Sequence, residues 1–226
     1  FSYYTNLKTI EFNGCYDTSL VKDMQKMFSN CYNLTELDLS CFDTSKVESV
    51  YGMFDGCSSL TGLDLSSFDT SRVTDMGFMF YGCKNIATLN LSSFDTSRVT
   101  DMSWMFDGCE SLLMLNLSNF NTSHVTYMSC MFSGCESLTD LNLNSFDTSH
   151  VTYMSYMFSG CESLTSLDLS SFNISYVVGM ISMFESCPSL TDIDLSNFNF
   201  ARVIYYDNFM DEGKIYNGKP WEALFS

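Results

Sequence analysis

The sequence predicts an α/β solenoid: one arc of about eight stacked units, each a strand plus a short helix, with a parallel sheet along one face. Three observations predict it. The tetrapeptide Phe-Asp-Thr-Ser stands at Phe42, Phe68, Phe94 and Phe146, with variants at Tyr16, Phe120, Phe172 and Phe198, and every interval to the next phased site is 26 residues. Other positions keep their chemistry in phase: Val47, Val73 and Val99; Met76 and Met102; Met53-Phe54 through Met183-Phe184; Cys57, Cys83 and Cys109. Inside each unit a period-2 segment is followed by one whose apolar residues recur at three and four, the signatures of strand and helix.

Leu63 and Leu65 alternate with Gly62, Asp64 and Ser66, so each unit supplies a short strand with one face buried. Val73, Met76, Met79, Phe80 and Cys83 fall in one sector at about 100° per residue and predict an amphipathic helix of about three turns. Asp69, Thr70 and Ser71 precede it with side chains able to accept its first N–H groups, and Gly82 follows where a left-handed cap belongs. A unit of this size cannot bury its apolar face alone, so neighbours must stack, roughly 4.8 Å per turn of a right-handed arc. A plain parallel β-helix is the alternative, disfavoured by the spacing from Val73 to Cys83.

Residues 1–226 read as a single solenoid: a partial N-terminal repeat (1–15), regular repeats (16–197), and a degenerate repeat with a C-terminal cap (198–226) that carries Pro220 and Trp221. Phe1 to Leu7 echoes Phe28 to Leu34 at an offset of 27, with one extra residue near Gly14. The opening on Phe1, partway through a repeat, suggests a processed or excised chain.

Twenty-seven acidic residues against ten basic give a formal net charge of −17, which argues against nucleic acid, since phosphate binding needs clustered Lys and Arg. No apolar run approaches the roughly 20 residues that span a bilayer, so no direct membrane insertion is expected. Of ten cysteines, Cys31, Cys57, Cys83, Cys109, Cys135, Cys161 and Cys187 form one ladder at the repeat period. About 4.8 Å between parallel Cβ vectors exceeds the roughly 3.8 Å a disulfide prefers, which predicts buried thiols. Cys15, Cys41 and Cys130 lie off the ladder, and an outward Cys130 would be reactive. His124 and His150 take the phase held elsewhere by Lys46, Arg72, Arg98 and Arg202, a basic surface position; with Cys130 they would make at most an incomplete metal site. The motifs G-x-S-x-G, H-E-x-x-H, G-x-G-x-x-G and the P-loop are absent, so no enzyme is expected.

The segment from Cys57 to Leu65 matches the L-x-x-L-x-L core of leucine-rich repeats, with Phe68 near the usual Asn position. The longer string M-x-x-M-F-x-G-C-x-S-L-x-x-L-D-L-S-x-F-D-T-S-x-V-T resembles the BspA-like family of leucine-rich repeat surface proteins over nearly the whole chain. That resemblance implies an extracellular or cell-surface location and, for some members, adhesion to host matrix proteins; it brings no catalytic residues.

Two surfaces are candidate sites. On the outward, concave side of the strands, Asp38, Asp64, Asn90, Asn116, Asn142, Asp168 and Asp194 form one column, thickened by Glu36, Asp140 and Asp192. No cofactor is expected, with Ca²⁺ shared by stacked carboxylates as the one candidate. On the helices, Phe78, Trp104, Cys130 and Tyr156 share one column about 160° from the buried sector, with Tyr127 and Tyr153 close by, which predicts an exposed apolar stripe local to the middle repeats. The threonine row Thr18, Thr44, Thr70, Thr96, Thr122 and Thr148 also has the spacing of ice-binding solenoids. Asn33, Asn90, Asn116, Asn121 and Asn173 begin N-x-S/T sequons. The reading is a non-enzymatic surface or secreted module that binds a protein or glycan on a host or neighbouring cell. The alternatives are a subunit that assembles with itself end to end or laterally, and an ice- or calcium-binding surface.

Overall fold

Seven phenylalanines at the repeat period can satisfy their burial only against one another, and in the computed structural model they do so as one continuous stack. Phe28, Phe54, Phe80, Phe106, Phe132, Phe158 and Phe184 lie ring on ring, with centroids 5.6 to 5.8 Å apart and planes within 12°. The structure describes residues 1–12, 16–212, 214–216 and 219–225; the predicted extra residue at Gly14 and Cys15 lie outside this set. Around the stack run equally buried columns of Val, Met, Cys, Leu and the Phe of each Phe-Asp-Thr-Ser turn, making one core along the solenoid. Each such side chain contributes about 1.5–3 kcal/mol by leaving water.

The strand side is a row of two-residue parallel strands: β1 (Thr9–Ile10), β2 (Glu36–Leu37), β3 (Thr88–Leu89), β4 (Met114–Leu115), β5 (Asp140–Leu141), β6 (Ser166–Leu167) and β7 (Asp192–Ile193). They pair as β1-β2, β3-β4-β5 and β6-β7, in a register that sets Leu89, Leu115 and Leu141 side by side inward and Thr88, Met114 and Asp140 side by side outward. The ladder lapses between β2 and β3, in the coil where Gly62 takes the outward position and offers no side chain to pack on its neighbours.

The predicted helices are not α-helical. The helices among the described residues are two short 3₁₀ turns, Phe200–Arg202 and Trp221–Phe225. Between Val73 and Cys83 the backbone N–H groups alternate in direction. Those of Met79, Tyr81 and Cys83 return three residues within the coil, to Met76, Phe78 and Phe80, whereas those of Met76, Phe78, Phe80 and Gly82 reach the next coil at Asp101, Ser103, Met105 and Asp107. An α-helix would send all of them four residues back. The alternation needs a reset of chain direction, and it comes at two positions per coil in left-handed conformation. One is the column Lys26, Gly52, Phe78, Trp104, Cys130, Tyr156, Ser182 and Asn208, with φ between +52° and +61°; the other is the glycine column, Gly82 at +64° among them. The predicted buried set was right and its secondary structure was not, because successive three-residue turns place Val73, Met76, Met79, Phe80 and Cys83 inward just as helical turns do. A line of single-residue parallel bridges, Asp23 to Ser49 and onward through Asp75, Asp101, Tyr127, Tyr153 and Gly179 to Tyr205, gives this side its own ladder between coils.

The Phe-Asp-Thr-Ser turn ties coils together as well. Thr96 is buried, and its hydroxyl donates to the Asn121 carbonyl (2.9 Å) while accepting the Asn121 N–H (2.8 Å); Thr44, Thr70, Thr122 and Thr148 repeat the bond pair. The ladder thiols are buried too, and those of Cys57 to Cys187 donate to the carbonyl of a Phe one coil back, as Cys83 does to Phe54 at 3.2 Å. At the C-terminal end the ring stack stops on Phe209, set edge-on at 88° to Phe184 and covered by Trp221 and Phe225.

Candidate functional site

The outward strand column is assembled by a local rule. In each coil the Asp or Asn side-chain oxygen accepts the N–H two residues on, from Asp38 to Ser40, Asp64 to Ser66, Asn90 to Ser92, Asn116 to Ser118, Asn142 to Asn144, Asp168 to Ser170 and Asp194 to Ser196, at 2.8 to 3.1 Å. These are Asx turns that end the strand, and they leave all seven side chains exposed. The serine side-chain and backbone bonds hold Asp64 and Asp168 below the usual carboxylate range; the backbone bond leads for Asp38 and Asp194. The column is graded: aspartate at both ends, asparagine in the three coils of β3, β4 and β5.

In the middle one of these coils, that of β4, the strand face turns apolar. Leu113 is 49% exposed and Met114 64% exposed. Sequence reading missed both, although the signal was present: from Thr35 onward Leu113 stands in a column that is otherwise Thr or Ala, and Met114 in one of Glu, Gly, Thr, Asp and Ser.

The structure divides the predicted stripe. Phe78 and Trp104 are half-buried because they stack on each other (5.4 Å, 10°) and lean on Tyr51 and Tyr81, with Phe78 5.3 Å from Tyr51 and Trp104 6.1 Å from Tyr81. Cys130 is buried, and burial pushes its thiol up to about 12, so the expected outward, reactive cysteine is corrected. Tyr127, Tyr153 and Tyr156 do face solvent, at 45%, 41% and 41% exposure, and Tyr127 and Tyr153 stack with centroids 6.1 Å apart. Tyr153 also lies over Gly179, where an added Cβ would stand 2.9 Å from its ring, so the missing side chain there makes room for the tyrosine. The left-handed residues of this column are costly, since a non-glycine side chain at such φ costs on the order of 1 kcal/mol. Gly52 shows the cheaper solution in the same column, yet the next coils carry Phe78 and Trp104.

The threonine row does not present to solvent: Thr44, Thr70, Thr96, Thr122 and Thr148 are 0 to 2% exposed, which removes the ice-binding surface they suggested. His124 and His150 are exposed, each ring within 3.3 Å of the preceding serine hydroxyl, and among the described residues no three His, Cys, Asp or Glu side chains are grouped to hold a metal ion. The Asp192 side chain lies outside the described set. Among the described residues no helix is long and apolar enough to cross a membrane.

Comparison with known proteins places this architecture. A leucine-rich repeat protein of Eubacterium ventriosum superposes with a TM-score of 0.51 at 22% identity, over 75% of this chain and 41% of that one. A leucine-rich repeat protein of T. pallidum (TM-score 0.38, 21% identity, 77% and 61% covered) and a leucine-rich cell surface protein of Faecalibacterium prausnitzii (0.36, 20%, 79% and 58%) are similar more distantly. The chain thus spans less than two thirds of the length of each. No curated protein matches the sequence. The fold is the leucine-rich repeat solenoid of BspA-like bacterial proteins, as the repeat motif implied. Residues 1–114 and 102–221 both match the family described as Mycoplasma protein of unknown function, DUF285, and the chain belongs to that family.

Proposed function

We propose that this protein is a non-catalytic, surface-displayed or secreted adhesin-like module that binds a protein or glycan partner on the strand face of its middle coils. The observation that carries the reading is the exposed pair Leu113 and Met114, set on the three-stranded sheet β3-β4-β5 where the flanking polar column is uncharged asparagine. Covering a carboxylate without a counter-charge costs several kcal/mol, whereas an amide can be covered once hydrogen-bonded, so the asparagine column suits a covered surface, and Asp140, beside Met114 in register, calls for a cation or hydrogen-bond donor on the partner. Apolar residues ringed by hydrogen-bonding groups are the usual make-up of a contact surface. A cell-surface location is the one that the leucine-rich cell surface protein of F. prausnitzii is named for. Self-association through this face would bring together copies that each carry −17, a repulsion that works against it.

The test is capture of beads coated with the protein by cultured epithelial cells, matrix-coated surfaces and a glycan array. Leu113→Thr/Met114→Thr restores the chemistry of the other coils at exposed positions; it should leave melting unchanged and lower capture at least about tenfold, the value of two large apolar contacts. Undiminished capture by that variant overturns the reading, as does sedimentation showing that the unmodified chain buries this face in a dimer.

A further inference from the structure

Charge is unevenly placed along the solenoid. Between Arg98 and Arg202 the sequence has eleven Asp and Glu residues and no Lys or Arg. All three exposed stripe tyrosines, Tyr127, Tyr153 and Tyr156, lie within that stretch. Two of the cations outside that stretch sit on rings: Lys26 Nζ lies 5.4 Å from the Tyr51 ring centroid, and Arg202 Cζ, at the stretch's C-terminal border, lies 5.2 Å from that of Tyr176. Tyr176 belongs to the column of Lys46, Arg72, Arg98, His124, His150 and Arg202. In the two coils of Tyr127 and Tyr153 that column holds His124 and His150 in place of Lys or Arg.

From this geometry we propose that Tyr127, Tyr153 and Tyr156 form a second binding surface, independent of the strand face, that takes the Lys and Arg side chains of a basic protein segment. The ring faces supply cation–π attraction, best for guanidinium groups that also stack on them. The surrounding acidic coils supply long-range attraction, which draws a polycation to this part of the surface and repels an acidic one. Tyr127 and Tyr153 stack with planes 14° apart in adjacent coils of the solenoid, so the faces they turn to each other are taken, and a basic side chain would meet this pair from its outer side and Tyr156 separately.

The test uses acetylated hexa-arginine as the probe, titrated into the intact chain by calorimetry and by NMR of the tyrosine ring protons. Binding is expected, weakening as salt rises, with the ring signals of all three tyrosines shifting. Tyr127→Leu/Tyr153→Leu/Tyr156→Leu should bind at least about tenfold more weakly, while Tyr127→Phe/Tyr153→Phe/Tyr156→Phe, which keeps the ring faces, should stay within about threefold. Leu113→Thr/Met114→Thr should bind hexa-arginine as the unmodified chain does, so loss on the strand face and loss on the stripe are told apart. Equal affinity of the leucine variant, or binding that leaves the ring signals unmoved, would show that charge alone is at work and overturn the proposal. Absence of binding at physiological ionic strength also overturns it. Should the leucine variant fail to fold, the ring shifts of the unmodified chain decide the matter.

Discussion

Trp104 offers a direct test of the backbone route, because glycine and alanine should exchange their usual order there. At ordinary backbone angles glycine is less stable than alanine by about 0.5–1 kcal/mol, from its greater freedom when unfolded. Trp104 has φ +61°, in the left-handed region, where a Cβ costs about 1–2 kcal/mol. Both Trp104→Ala and Trp104→Gly lose the stack on Phe78, worth about 0.5–1.5 kcal/mol, and the burial of about half an indole, another ~1–2 kcal/mol. Only the alanine variant keeps the backbone strain. Trp104→Ala should therefore lose about 2–3 kcal/mol, and Trp104→Gly about 1 kcal/mol less, which is 2–4 °C in Tm for a chain of roughly this length. Urea unfolding followed by far-ultraviolet dichroism measures both. Ser129, whose carbonyl accepts the Trp104 N–H and which is not left-handed, is the control: Ser129→Ala should be more stable than Ser129→Gly. An alanine variant at 104 as stable as the glycine variant, or more so, would refute the left-handed column and favour the helix first expected.

Three further outcomes follow from the same contacts. Thr96→Val keeps the shape but strips both bonds from the buried pairing with Asn121, and should cost about 2–4 kcal/mol in urea unfolding, against under about 1 kcal/mol for Thr96→Ser; near-equality of the two would mean the hydroxyl ladder contributes nothing. Burial pushes the Asp107 carboxyl from 3.8 to about 6, only partly offset by its Ser133 hydrogen bond. The folded value thus lies above the unfolded one, so the stability it contributes is full below pH 3.8 and is lost as pH rises through about 6. Asp107→Asn should abolish that fall, about 1–2 kcal/mol after allowance for partial exposure, and melt higher than the parent at pH 7; a parallel pH profile for parent and variant would contradict it. Asp38, Asp64, Asp168 and Asp194 run the other way, their lowered values giving stability that is lost only in stronger acid. Calcium in the millimolar range should leave melting unchanged, since one oxygen of each of these aspartates is already taken by a backbone N–H; a calcium-dependent rise in Tm would restore the ion to the strand face.

Much of the candidate site was legible because a repeat makes every departure visible. Tyr127, Tyr153 and Tyr156 stood out against their columns and are exposed. Phe78 and Trp104 stood out equally, yet they lean on Tyr51 and Tyr81, from outside their own column, and that contact has no signature in the 26-residue period. Cys130 was read as outward from its place on a helical wheel, but the wheel does not apply once the residue is left-handed. Leu113 and Met114 were passed over because apolar residues beside a strand of leucines read as core until the register shows which way each points.

By itself the sequence determined the period, the single continuous core and the membership of its columns, because burial is a repeating demand that each coil must meet at the same positions. It also determined the left-handed glycine column, Gly82 among it, which follows from local chemistry. Only the tertiary structure decided where the backbone hydrogen bonds go. Spacing at three and four says which side chains face inward; whether an N–H closes a helical turn or reaches the next coil depends on a neighbour 26 residues away, and in this chain the neighbour takes every second one.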